Sequence, residues 1–266
     1  MSNEEYSELQ HSDSDQPWCC KRCQEEALPY HNVSNSDSIS AHPSTTSAPQ
    51  SPSPSLTVLY TNCRSILPKL DHLRLLVTAH NPHNYNCHLR TWLDANITND
   101  ELLIPGFSVI HHDRNRQGGG IALYIKDNIP FAVHSRHTSL ELMFIELKLP
   151  HQSLLCGLFY RPPTSDTSVL QSLESALEQL PPSKQNSLLL LGDFNVNYHQ
   201  TAVNPLLHSL HSIEDKLGLK QIVALPTRPV SSTLIDHIYL SESLLHSPCD
   251  ILPPCPALII LPSFSL

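Results

Sequence analysis

Apolar positions follow no period over residues 1–55, and an ordered pattern begins at Leu56. LTVLYT at 56–61 has the β-branched and aromatic content of a strand. In 67–80, LPKLDHLRLLVTAH, Leu70, Leu73, Leu76 and Val77 recur at helical spacing, and Pro68 suits a helix first turn. The stretch 84–94 shows no clear period and receives no element. Gly118-Gly119-Gly120 then leads into IALYIK at 121–126, which predicts a strand. Strands are also predicted at 141–148 and 153–159, and a helix at 166–180. The wholly apolar strand SLLLLGDF follows at 187–194, then a helix at 204–217 and a short strand at 233–240. Strands alternating with helices, and one strand apolar on both faces, predict an α/β protein with buried sheets.

Composition divides the 266 residues into three parts. Residues 34–55 hold 9 serines and 4 prolines with almost nothing to bury, and read as a disordered linker. Residues 1–33 form an acidic head, and 56–266 carry the folded domain. No run of 18 apolar residues occurs, and the start, MSNEEYSELQ, has neither a basic nor an apolar region, so neither a membrane span nor a signal peptide is expected. The net charge of −9 argues against a nucleic-acid binder if taken whole. Yet residues 1–55 contribute −6 of it, from 8 acids and 2 bases, which leaves −3 on the domain.

The densest candidate for chemistry is Gly192-Asp193-Phe194-Asn195, which closes the apolar strand. Glycine lets the backbone turn there. Asp193 and Asn195 then fall on one side of an extended chain, at the carboxyl end of a strand, where open α/β sheets carry their sites. Aspartate supplies a base or metal ligand and asparagine a neutral donor for a phosphate oxygen; the same residues also make an ordinary polar turn. Asn62, in Thr61-Asn62-Cys63-Arg64-Ser65, ends the first strand. Phe159-Tyr160-Arg161-Pro162-Pro163 ends another, and Leu234-Ile235-Asp236-His237 lies in a third.

With Thr91-Trp92-Leu93-Asp94 and Asp113-Arg114 ahead of the triple glycine, these motifs run in the order and approximate spacing of the endonuclease/exonuclease/phosphatase family. Residues 56–261 resemble in particular the endonuclease domain of non-LTR (LINE-type) retrotransposons. The resemblance implies a four-layer α/β sandwich, two facing mixed or antiparallel sheets flanked by helices, here truncated at its C-terminal end. It also implies Mg²⁺-dependent phosphodiester hydrolysis that nicks DNA, with the metal neutralising phosphate while an aligned water attacks in line. By the same resemblance Asn62 supports the metal, Tyr160 contacts the phosphate, Asp193 orients or deprotonates the water and Asn195 assists. Asp236 would orient a histidine from a later Ser-Asp-His strand. Arg114 and Arg161 are candidate substrate contacts.

The sequence departs from the family pattern twice. The glutamate that serves as principal Mg²⁺ ligand is replaced by Arg90, and 78–100 contain no glutamate. A guanidinium repels the metal and grips phosphate. At 249–261, CDILPPCPALIIL, the apolar strand persists but no Asp-His pair precedes it. His237 points to the opposite strand face from Asp236 and is a poor substitute. The expectation is an impaired nuclease; a non-catalytic DNA- or phosphate-binding remnant and a protein-interaction module working through the head and linker are the other readings. DNA is the expected partner, with no membrane and no obligate oligomer, in an intracellular and, if functional, nuclear setting. Trp18, Cys20 and Cys23 resemble the closing pair of a PHD-type finger, but a structural zinc needs four ligands and the earlier pairs are absent. The 17 histidines are scattered without HExxH spacing.

Overall fold

The computed structural model describes residues 56–265 apart from 63–64, 80–84, 95, 115–118, 138, 247–249 and 252–257. The head with its cysteine cluster, the linker, Arg116 and Gly118 lie outside the described residues. So does most of the segment that lacks the Asp-His pair. Within them the chain runs β1 (Leu56–Thr61), α1 (Leu70–Ala79), β2 (Tyr85–Arg90), β3 (Phe107–His112), β4 (Ile121–Lys126), β5 (Phe131–His137), β6 (Glu141–Lys148) and β7 (Ser153–Tyr160). It continues through α2 (Ser168–Glu178), the single turn α3 (Pro182–Gln185), β8 (Leu188–Asp193), α4 (Pro205–Leu217), β9 (Leu219–Gln221) and β10 (Asp236–Ser241). Strands β11 (Leu245–His246), β12 (Asp250–Ile251) and β13 (Leu258–Ser265) close it.

The strands make two sheets. One has the order β11-β13-β1-β2-β4-β3, with β12 also on β13; the other runs β5-β6-β7-β8-β10-β9. Pairs β1–β2 and β7–β8 are parallel and the remaining pairs antiparallel. Strand alternation then sorts the side chains into layers. Val58, Tyr60, Leu123 and Ile125 of the first sheet meet Met143, Ile145, Leu158, Leu189, Leu191 and Ile238 of the second in the central core. Leu188 and Leu190, on the other face of β8, pack with Leu170, Leu173 and Leu177 of α2 and Leu207 and Leu210 of α4. Leu59 and Tyr124 face Leu70, Leu73 and Val77 of α1. The result is the four-layer sandwich, with helices outside both sheets.

Local chemistry explains the predicted elements that formed. Helix α4 opens on Asn204, whose side chain accepts from the Leu206 N–H at 2.9 Å, with Pro205 in its first turn. It ends at Gly218, which adopts φ +59° and donates to the Glu214 carbonyl. Strands β2, β3, β5, β9, β11 and β12 were not predicted. β2, YNCHLR, carries a polar pattern, and its strand state is set by its neighbours β1 and β4. β5 pairs with β6 alone and has exposed positions, as an edge strand should.

Gly192 is required by close approach. A Cβ there would stand 1.7 Å from the carbonyl oxygen of Phe159, its partner across the parallel pair. Gly192→Ala is expected to destabilise the domain by about 4 kcal/mol or more, since backbone must yield. Urea denaturation of the soluble protein checks this; a wild-type midpoint would contradict it.

Candidate functional site

One rung of the second sheet collects the polar residues. Glu141 on β6 pairs with Tyr160 on β7, Tyr160 with Asp193 on β8, and Asp193 with Asp236 on β10. Met143, Tyr160, Leu191 and Ile238 mark these strand faces as turned toward the first sheet. The rung sits where β7 and β8 end, so both sheets and their carboxyl-end loops converge on it. Asp193 and Asp236 are 2% and 0% exposed.

Two donors reach the carboxylates from β1 and the residue after it. The Asn62 amide nitrogen donates to Asp193 Oδ2 at 2.7 Å and to Asp236 Oδ1 at 2.8 Å. The Tyr60 hydroxyl donates to Asp236 Oδ1 at 2.9 Å. Burial, reinforced by both aspartates, pushes the Tyr60 phenol well above its ordinary value, so it stays protonated and remains a donor. Thr227 and Arg228 complete the surroundings. Thr227 Oγ1 accepts from the backbone N–H groups of Ile235 and Asp236, each at 3.2 Å. Arg228 places Nη2 3.9 Å from Asp193 Oδ2 and Nε 3.8 Å from Asp236 Oδ2.

Asn195 does not share the Asp193 face as strand alternation predicts. β8 ends at Asp193 and Asn195 turns into the left-handed region at φ +50°, which ends the alternation. Its side chain donates to the Arg161 carbonyl at 2.7 Å, and its backbone N–H to Asp193 Oδ1 at 3.2 Å. Arg161 is 0% exposed. Its guanidinium donates to the carbonyls of Phe194 at 3.5 Å, Asn195 at 3.4 Å and Ser165. It therefore braces the loop after β8 from inside rather than presenting a cation to the surface. Arg114 lies at the other end of the rung, half-exposed, and donates to Glu141 Oε1 at 2.9 Å. Glu141 Oε2 accepts from the Gly120 N–H at 2.6 Å. Gly119 and Gly120 have φ +76°, and a Cβ on either would collide with Glu141 or with Thr91 Oγ1. Glycines here serve tight packing between the sheets.

His237 faces the helices, as its strand position requires. Its ring stacks on Phe194 with centroids 4.9 Å apart, Nε2 bonds the Val196 carbonyl at 2.9 Å, and Nδ1 the Tyr239 hydroxyl at 3.0 Å. Burial lowers its pKa to about 4. Arg90 ends β2, with its Cα opposite Ile121. The parallel register pairs Thr61 with Leu89, so Arg90 takes the strand position level with Asn62.

The chain belongs to the Endonuclease/Exonuclease/phosphatase family, whose pattern matches residues 62–263. No curated protein matches it in sequence. Its fold is similar to the endonuclease domain of TRAS1, a telomere-specific non-LTR retrotransposon, with a TM-score of 0.60 and 14% identity over 79% of this chain and 97% of that one. A 3'-5' exonuclease from Neisseria meningitidis gives a TM-score of 0.55 and 15% identity over 77% and 98% of the two chains. A 3' phosphatase from Neisseria bound to a product DNA hairpin gives 0.53 and 14% over 78% and 99%.

The family generally uses divalent metals, but the described residues of this site do not make a Mg²⁺ cage. Asn62 Oδ1 and Asp236 Oδ2 are buried without hydrogen-bond partners, as cation ligands would be. Mg²⁺ asks for six oxygens in near-octahedral array. Instead a guanidinium already stands within 4 Å of both aspartates, and arginine holds the strand position level with Asn62. Among the described residues no three His, Cys, Asp or Glu side chains are placed to hold a metal ion.

The structure thus gathers Asn62, Tyr160, Asp193 and Asp236, and places Arg114 at the edge and Arg161 inside. Sequence reasoning missed Tyr60, Glu141, Thr227 and Arg228. Strand parity could have found the first two, since Tyr60 lies two residues before Asn62 and Glu141 two before Met143. Tyr60→Phe removes the phenolic donor to Asp236 and should cost about 1.5–3 kcal/mol in urea denaturation. His237 predicts an acid limit. Its folded pKa is below the unfolded value, so its contribution is complete above about pH 6.5 and is lost as pH falls toward 4. The loss amounts to about 3 kcal/mol, and His237→Gln should show a correspondingly smaller fall in urea midpoint between pH 7 and pH 4.5.

Proposed function

We propose that this chain is a retrotransposon-type DNA endonuclease domain that still receives a DNA phosphodiester at its aspartate rung but has lost efficient Mg²⁺-dependent cleavage. The observation that carries the reading is the buried Asn62–Asp193–Asp236 cluster, present in a family fold whose metal-ligand glutamate position holds Arg90. Asp193 is the group to align or deprotonate an attacking water, and Asn195 and Arg161 keep its loop in place. Tyr160, beside Asp193 on the rung, is the proposed phosphate contact. Asp236 contributes charge and position, with Tyr60 and Asn62 as its donors, and no histidine among the described residues faces it for proton transfer. Loss of one acid–base group commonly lowers a rate about 10²–10⁴-fold, and loss of the metal ligand compounds it. Nuclear DNA is the proposed target, and Mg²⁺ is proposed to act only at concentrations that overcome the cations in the site.

Most of the net charge of −9 lies on residues 1–55, which carry −6, so the aggregate charge does not by itself oppose DNA binding by residues 56–266. A supercoiled-plasmid assay in Mg²⁺ with the full chain should show no nicking above that of Asp193→Ala. Fluorescence anisotropy should show salt-dependent DNA binding by the same protein. Robust nicking that disappears in Asp193→Ala would overturn the reading of impairment.

A further inference from the structure

We infer that Arg228 is the resident cation of this site: it supplies one positive charge where a divalent ion would bring two and is the group that grips a DNA phosphate there. The inference rests on the proposed DNA-binding reading and assigns it a residue. Two carboxylates as buried as Asp193 and Asp236 need compensating charge; Asn62 and Tyr60 offer neutral donors, and Arg161, turned to backbone carbonyls, interacts electrostatically with Asp193. Arg228 is the cation that bridges both. Its contacts, at 3.8 and 3.9 Å, are ion-pair distances that exceed hydrogen-bond length. The guanidinium attracts the carboxylates without spending its N–H groups on them, and its side chain is 27% exposed. It can therefore turn donors toward an incoming phosphate, for which the planar fork is suited.

The position is built rather than incidental. Arg228 N donates to the Thr233 carbonyl at 2.9 Å and Thr233 N returns to the Arg228 carbonyl at 3.2 Å, a bridge closed by Ser232 at φ +50°. The preceding residue, Thr227, is hydrogen-bonded to the amide of Asp236 itself. The loop that fixes Arg228 thus takes its register from the strand that carries one of the carboxylates. A divalent ion entering beside Asn62 Oδ1 and Asp236 Oδ2 would meet this like charge at close range. Arg114, at the far end of the rung, differs. It is hydrogen-bonded to its own carboxylate, Glu141, and three strand spacings, about 14 Å, separate the two ends.

The two arginines therefore make opposite forecasts. In the full chain, Arg228→Gln should raise Mn²⁺ affinity at least tenfold by calorimetry. It should weaken binding of a fluorescein-labelled duplex about tenfold, with the slope of log K against log salt reduced by about 0.9, one phosphate's share. Arg228→Lys should retain the low Mn²⁺ affinity, and Arg114→Gln should leave Mn²⁺ affinity unchanged. Unchanged Mn²⁺ affinity in Arg228→Gln overturns the cation role, and an unchanged salt slope overturns the phosphate role. If Arg228→Gln does not fold, the double variant R228Q/D236N removes the charges together and keeps the salt-slope readout. A wild-type chain that binds no duplex defeats the proposed function and the phosphate role together, while the Mn²⁺ arm still decides the cation role.

Discussion

Asp193 and Asp236 lie side by side on adjacent strands with almost no access to water, and one amide from the opposite sheet donates to both. Two buried carboxylates without donors would be too costly to keep ionised. Asn62 can serve them only if the end of β1 stands directly over the ends of β8 and β10. That requirement constrains how the two sheets face each other at this end, and the apolar central core holds the rest. Gly192 answers a related demand, because β8 approaches β7 too closely for a side chain at the residue before Asp193.

Charge around the site is met locally. Glu141 has Arg114, the Asp193–Asp236 pair shares Arg228, and Arg161 also interacts electrostatically with Asp193. His237, next in chain to Asp236, contributes no charge near neutral pH because burial against Phe194 and Tyr239 keeps its ring neutral. The strand thus separates two chemistries on its two faces, a carboxylate between the sheets and a neutral imidazole beneath the helices. The aggregate charge of −9 says little about either face.

The residues that were legible in the sequence share a cause. Asp193, Asp236 and Tyr160 interrupt or end apolar strands, so they stand out against their neighbours and fall at predictable strand ends. Arg228 has no such frame: it sits in a loop, and only the Thr227 and Thr233 hydrogen bonds bring it to the aspartates. Asn195 was placed wrongly because alternation was carried one turn past the end of β8. Arg161, beside a Pro-Pro turn, was a candidate substrate contact, yet its guanidinium is turned inward onto three backbone carbonyls.

Sequence alone determined the α/β class, the three longer helices, the apolar strands and the two aspartates, because these follow from periodicity and residue type within one segment. It also put arginine at position 90, where the resemblance led to the expectation of a glutamate. Tertiary structure decided the strand state of β2, the single rung that aligns Glu141, Tyr160, Asp193 and Asp236, and the cation that serves the last two. Those depend on register between strands and on contacts between residues as far apart as Asn62 and Asp236, which no local pattern encodes.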